Sequence, residues 1–118
     1  MSLQLVGGTL TTEGVSRLTT EHIYFPVTTS DSLTGYSTFV AFMDSVDLRP
    51  TLSDWNPSSV VNNPDDVSNQ AIRILIGPEL SGVDLTPITS AEKTYHVFVK
   101  IETPNESIIR RAGVLKVR

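Results

Sequence analysis

Two histidines, His22 and His96, are the only imidazoles in the chain and its first candidates for proton transfer near neutral pH. Both fall at positions that an alternating strand pattern points outward. Serines and aspartates are plentiful, so a Ser/His/Asp arrangement stays open as a spatial possibility. No G-x-S-x-G elbow marks any serine as activated, however. A solvated surface role suits both rings better, and no catalytic residue is assigned.

Metal and anion chemistry finds equally little support. Asn62-Asn63-Pro64-Asp65-Asp66 gathers hard oxygen donors of the kind calcium accepts. The spacing is not that of an EF-hand loop, and these residues are also ordinary turn formers, so calcium at 62–66 stays an open alternative. Two histidines without a cysteine do not make a structural zinc set, and no metal or other cofactor is expected. Gly7-Gly8 and Gly77-Pro78 are isolated, with no phosphate-binding loop around them. Tyr24, Tyr36 and Trp55 could stack on sugar rings, which makes a glycan-binding module the alternative function.

Composition narrows the partners. The net charge is −4, which argues against nucleic acid. The charge is unevenly placed. Residues 1–99 carry four basic groups (Arg17, Arg49, Arg73, Lys93) against eleven acids, whereas 100–118 carry five (Lys100, Arg110, Arg111, Lys116, Arg118) against two. This basic end suits a solvated strand with long cationic side chains, or an edge that meets an acidic surface on a neighbouring subunit. With no cysteine, the core must hold by packing alone. No apolar run reaches the roughly 18–20 residues that span a bilayer, and the first residues lack the pattern of a signal peptide. Neither a membrane nor a small-molecule substrate is expected.

The elements that must position these groups are strands. Thr94–Glu102 alternates, with Tyr95, Val97, Val99 and Ile101 on one face and His96, Phe98, Lys100 and Glu102 on the other. Thr103-Pro104-Asn105-Glu106 reads as a turn, and Ile108–Arg118 returns as the second arm of a hairpin, with Gly113 marking a bulge or bend. Glu21–Thr28 puts Ile23, Phe25 and Val27 inward, and Pro26 makes it an edge or kinked strand. Ser37–Met43 is apolar on both faces, and Phe39, Ala41 and Met43 are placed opposite Val40 and Phe42. Ala71–Ile76 buries Ile72, Ile74 and Ile76 and stops at Gly77-Pro78. Leu3–Thr11 and Val83–Ile88 are further short strands, and Thr89–Lys93 makes at most one helical turn. Arg49–Gln70, rich in proline, asparagine and aspartate, is expected to be irregular apart from a brief strand at Ser58–Val61, with Trp55 anchoring it to the body.

Six to eight short strands with negligible helix give an all-β, antiparallel, immunoglobulin-like β-sandwich of one domain over 1–118; a small barrel is the competing architecture. The expected core is Ile23, Phe25, Val27, Phe39, Ala41, Ile72, Ile74, Ile76, Tyr95, Val97, Val99, Ile101, Leu115 and Val117.

Three segments carry a resemblance: Ile72-Arg73-Ile74-Leu75-Ile76-Gly77-Pro78, Thr94-Tyr95-His96-Val97-Phe98-Val99-Lys100-Ile101 and Ile109-Arg110-Arg111-Ala112-Gly113-Val114-Leu115-Lys116-Val117. In this order they resemble small β-sandwich proteins encoded among the virion structural genes of actinobacterial phages and prophages. Leu33-Thr34-Gly35-Tyr36-Ser37-Thr38-Phe39 is similar, more loosely, to the opening of the N-terminal β-domain of phage baseplate upper proteins. The match covers about half the chain, chiefly Leu33–Met43 and Ala71–Arg118. Thr103–Ser107 makes a longer, less acidic turn than that family's, and Arg49–Gln70 has no counterpart in it. The resemblance implies a non-enzymatic head, tail or baseplate component, placed in a virion assembled in the host cytoplasm. Its partners would be other virion proteins or further copies of itself. It supplies no catalytic residues. Phe98, Lys100, Arg110 and Arg111 are the expected interface residues, since aromatics and arginine favour interface cores.

Overall fold

The structure is a computed structural model that describes residues 3–5, 19–29, 32–44, 49–63, 66–80, 82–85 and 93–117. Seven strands form: β1 (Leu3–Leu5), β2 (Glu21–Thr29), β3 (Ser37–Met43), β4 (Asn56–Asn63), β5 (Asp66–Ile76), β6 (Lys93–Glu102) and β7 (Ser107–Val117). A single 3-10 turn, Leu52–Asp54, precedes β4, and there is no α-helix among the described residues. None of those residues forms a helix long and apolar enough to cross a membrane.

The strands make one continuous sheet in the order β1-β2-β5-β4-β3-β6-β7, and every neighbouring pair is antiparallel. The sheet curls into a half-barrel around one apolar interior. β4 is the hinge of the curl. Asn56, Pro57 and Ser58 pair with β3, whereas Ser59 to Asn63 pair with β5. Its first half therefore belongs to one wing and its second half to the other. The sheet ends, β1 and β7, approach each other without pairing.

Alternation explains most of the core. Ile23 and Phe25 face Ile74 and Ile72 across the β2–β5 ladder, while Val40 and Phe42 face Val99 and Val97 across β3–β6. Tyr95, Val97, Val99 and Ile101 are all buried, and the Tyr95 hydroxyl donates to the Leu85 carbonyl at 3.2 Å. That bond satisfies a polar group that burial would otherwise leave without water. The hairpin expected at the chain's end is present: Thr103 N–H donates to the Glu106 carbonyl, and β7 pairs with β6 throughout. Gly113, at φ 137°, sits at a register shift opposite Val97, so the glycine does mark a bulge. Beyond the bulge Leu115 and Val117 point inward, as Ile108 does before it.

Four expectations need correction. Arg49–Gln70 is largely strand, because β4 and most of the first half of β5 run through it; Asn62 and Asn63 pair in the ladder despite their turn propensity. β3 turns its other face inward. Val40 is fully buried in the central cluster, while Phe39 is half-buried on the outside, and Ala41, although buried, is not part of the cluster. The register accounts for it: Val40 and Phe42 lie directly opposite the inward-facing Val99 and Val97 of β6 and share their face, and Thr38, whose hydroxyl bonds that of Ser58 at 2.7 Å, takes the same parity. Leu33, Leu85, Ile108 and Ala112 join the core, and of the described part of the proposed Val83–Ile88 strand, Val83 to Leu85, only Val83 pairs, in an isolated bridge to Ile76. The strand expected at Leu3–Thr11 is described only as β1. β2, expected as an edge or kinked strand, lies between β1 and β5, with Pro26 opposite Ala71 of β5 and β1 covering Val27 to Thr29 on its other side. The remaining residues of Leu3–Thr11, 86–88 of the Val83 strand and the helical turn at 89–92 lie outside the described residues.

Candidate functional site

The outer face of the β4–β3–β6–β7 wing carries three of the four residues that sequence singled out for an interface, Phe98, Lys100 and Arg111, whereas Arg110 pairs with the inward-facing Val99 and is exposed on the other side of the sheet edge. The register lays them out in rungs. Pro57, Phe39, Lys100 and Ile109 form one rung across the four strands; Ala41, Phe98 and Arg111 form the next; Met43, His96 and Val114 form a third. Phe39 and Phe98 are half-buried, and Arg110 and Arg111 are exposed. Ile109, between the hairpin turn and the arginines, is 46% exposed.

Lys100 is not the accessible cation that alternation suggested. It is only 9% exposed, with Nζ 4.8 Å from the ring centroids of both Phe39 and Trp55 and 3.3 Å from the Glu102 carboxylate. Its charge is thus held by two π-faces and an acid rather than offered to a partner. Trp55 reaches this position because the chain is fixed on both sides of it. Asp54 accepts from the Thr51 N–H at 2.7 Å, and Asn56 Nδ2 donates to the carbonyls of Val40 and Asp54. The expectation that Trp55 anchors its segment to the body is met through these contacts.

His96 accepts a hydrogen bond from the Arg111 guanidinium at 3.1 Å. Arginine can only donate, so Nδ1 is the acceptor and the ring proton sits on Nε2 in this arrangement. His22 lies on β2, exposed and beside Tyr24, with β5, β4 and β3 between it and β6. The fold does not bring the two imidazoles together.

The three aromatics of the glycan alternative are also dispersed. Tyr36 packs against the inner cluster, Tyr24 pairs with Arg73 on the opposite wing, and Trp55 is engaged by Lys100. They form no common platform. Among the described residues no three His, Asp or Glu side chains gather where a metal could be held. Pro64 and Asp65, central to the 62–66 segment, lie outside the described residues.

Sequence reasoning missed a second feature. β2 begins, β5 ends, β4 begins, β3 ends, β6 begins and β7 ends at one and the same end of the sheet. The chain therefore leaves and re-enters the sheet there between 43 and 56 and again between 76 and 93. Leu52, 91% exposed, and Leu80, 80% exposed, lie on these two connections. The signal was present as isolated leucines inside turn-rich stretches. No family model matches this chain, and no curated protein or solved structure matches it either.

Proposed function

We propose that this protein is a non-enzymatic structural component of a phage or prophage particle, acting by protein–protein assembly. The observation that carries the assembly reading is the unpaired β7 edge of the sheet, which β1 approaches without joining it in a ladder. β7 pairs with β6 alone among the described strands, and it presents Ile109, Arg110 and Arg111 in an uninterrupted exposed run. Ile109 and Arg111 share the outer face while Arg110 lines the other side of the same edge, and an apolar side chain beside a guanidinium is the composition that interface cores favour. The virion assignment rests on the resemblance of Leu33–Met43 and Ala71–Arg118 to actinobacterial phage structural proteins. In this reading the half-barrel is a sandwich-like module: the β2–β5 and β3–β6–β7 wings enclose one core, with β4 shared between them.

Phe98 lies between Ala41 and Arg111 on the outer face and extends the surface inward from the edge. Lys100 supports that surface from below. The test is quantitative mass spectrometry of gradient-purified particles from the source strain. A fixed copy number per particle is expected, and it should fall sharply when Arg110→Glu and Arg111→Glu are introduced together. Intact particles that lack the chain would overturn the reading.

A further inference from the structure

The two ends of the electrostatic asymmetry lie on different surfaces. Among the described residues, the end of the half-barrel where the long connections meet carries Glu21, Asp44, Asp54, Glu79 and Asp84, against Arg49, Lys93 and Lys116, the last at the end of β7. Lys93 is already engaged by Asp44 at 2.9 Å. β7 has the opposite character: Arg110, Arg111 and Lys116 lie within it, and it contains no acid.

The same acidic end holds the two most exposed large apolar side chains among the described residues, and the backbone presents one of them under strain. Leu80 has φ 54°, a left-handed conformation that a branched side chain rarely adopts. Its turn is tied down on every side. Gly77 N–H donates to the Val83 carbonyl, Val83 N–H to the Leu75 carbonyl, Gly82 N–H to the Glu79 carbonyl, and Glu79 N–H to Thr20 Oγ1. A glycine would relieve the strain, so a leucine held outward there has a use other than stability. Leu52 is likewise carried on a turn closed by Thr51 and Asp54.

We infer that the loop end of one copy, through Leu52, Leu80 and Glu79, docks on the β7 edge of a second copy, through Ile109, Arg110 and Arg111. This rests on the assembly reading above and names its partner. Charge decides the geometry. Pairing β7 with β7 would place six cations on two adjacent strands with no acid between them. The other edge of the sheet is β1, whose described part is only three residues long, a short template for continuing the sheet. Acidic loop end against basic edge is the complementary choice, and a contact between two different patches is head-to-tail, able to close a ring or propagate.

Native mass spectrometry and light scattering on the full chain at low salt test this with two complementary variants. One is Leu52→Gln with Leu80→Asn, damaging the loop end; the other is Arg110→Glu with Arg111→Glu, damaging the edge. Each alone should lose self-association by about tenfold or more. Mixed in equal amounts they should form a one-to-one heterodimer and nothing larger, because one intact patch survives on each partner. Leu80→Gly should raise the thermal midpoint while weakening association, separating strain from binding. A wild-type chain that stays monomeric at high concentration, variants that still associate, or a mixture that stays monomeric would each overturn the inference. Incorporation into particles by a monomeric chain would overturn self-docking alone; self-association by a chain absent from particles would overturn the virion assignment alone.

Discussion

The ammonium of Lys100 lies 4.8 Å from the centroid of the Trp55 ring, although the two residues come from different strands' ends and are far apart in sequence. Phe39 contributes the second face at the same distance, and Glu102 the counter-charge. Together they bind the chain that precedes β4 to the outer face of β6. Lys100→Met keeps the stem and removes the charge, and should cost about 1–2 kcal/mol in urea unfolding, the range for a desolvated cation–π contact. A double-mutant cycle with Trp55→Ala should show coupling of about 1 kcal/mol. Strict additivity of the two would show that the stack contributes nothing.

Gly77 cannot accept a side chain. A Cβ there would sit 2.5 Å from the Thr19 carbonyl oxygen and from Thr20 Cα, and the backbone is already at φ 129°. Both obstacles are backbone, so neither moves cheaply. Gly77→Ala is expected to lose about 3 kcal/mol or more of stability. A thermal midpoint within a degree of wild type would contradict this packing.

Gln70 holds the β2–β3 connection to the sheet. Its Oε1 accepts from Leu33 N–H at 2.8 Å and its Nε2 donates to Thr34 Oγ1 at 3.1 Å. The connection then turns at Gly35, φ 91°, closed by Tyr36 N–H to the Leu33 carbonyl. Gln70→Leu should cost about 1–2 kcal/mol by leaving the buried Leu33 amide unpaired. Amide exchange at Leu33 and Tyr36 should quicken more than exchange in β6.

Lys93 is pinned to Asp44, and that hydrogen bond, opposed by desolvation and helped by Tyr95, raises the lysine above its ordinary value of 10.5. A folded-state value above the unfolded one adds stability that is fully present below the unfolded value and is lost as pH climbs through the folded one. Because the pair is well exposed, Asp44→Asn should cost only about 0.2–1 kcal/mol at neutral pH. The difference from wild type should shrink in high salt and vanish in strongly alkaline solution. A difference that persists there would assign the contact to packing instead.

Local pattern was enough for the elements whose two faces differ chemically. In β6, Tyr95, Val97, Val99 and Ile101 alternate with neighbours that are polar except for Phe98, so one register buries the larger apolar set, and the hairpin to β7 with its Gly113 bulge follows from turn chemistry and spacing. Ile72, Ile74 and Ile76 were legible for the same reason. Pattern failed where both faces are apolar or both polar. In β3 either parity could be buried, and the choice fell to its register against β6, which sets Val40 and Phe42 opposite the inward-facing Val99 and Val97. β4 and the start of β5 looked like loop because half-exposed strands there are written in Asn, Ser and Pro, and only pairing to distant strands satisfies their backbone. Lys100 looked like a free surface cation because period two says which way a side chain points, not what arrives above it. Trp55, Leu52 and Leu80 acquire their meaning in the same way: long-range strand order decides which loops share an end and which rings share a cation, and no local window contains that information.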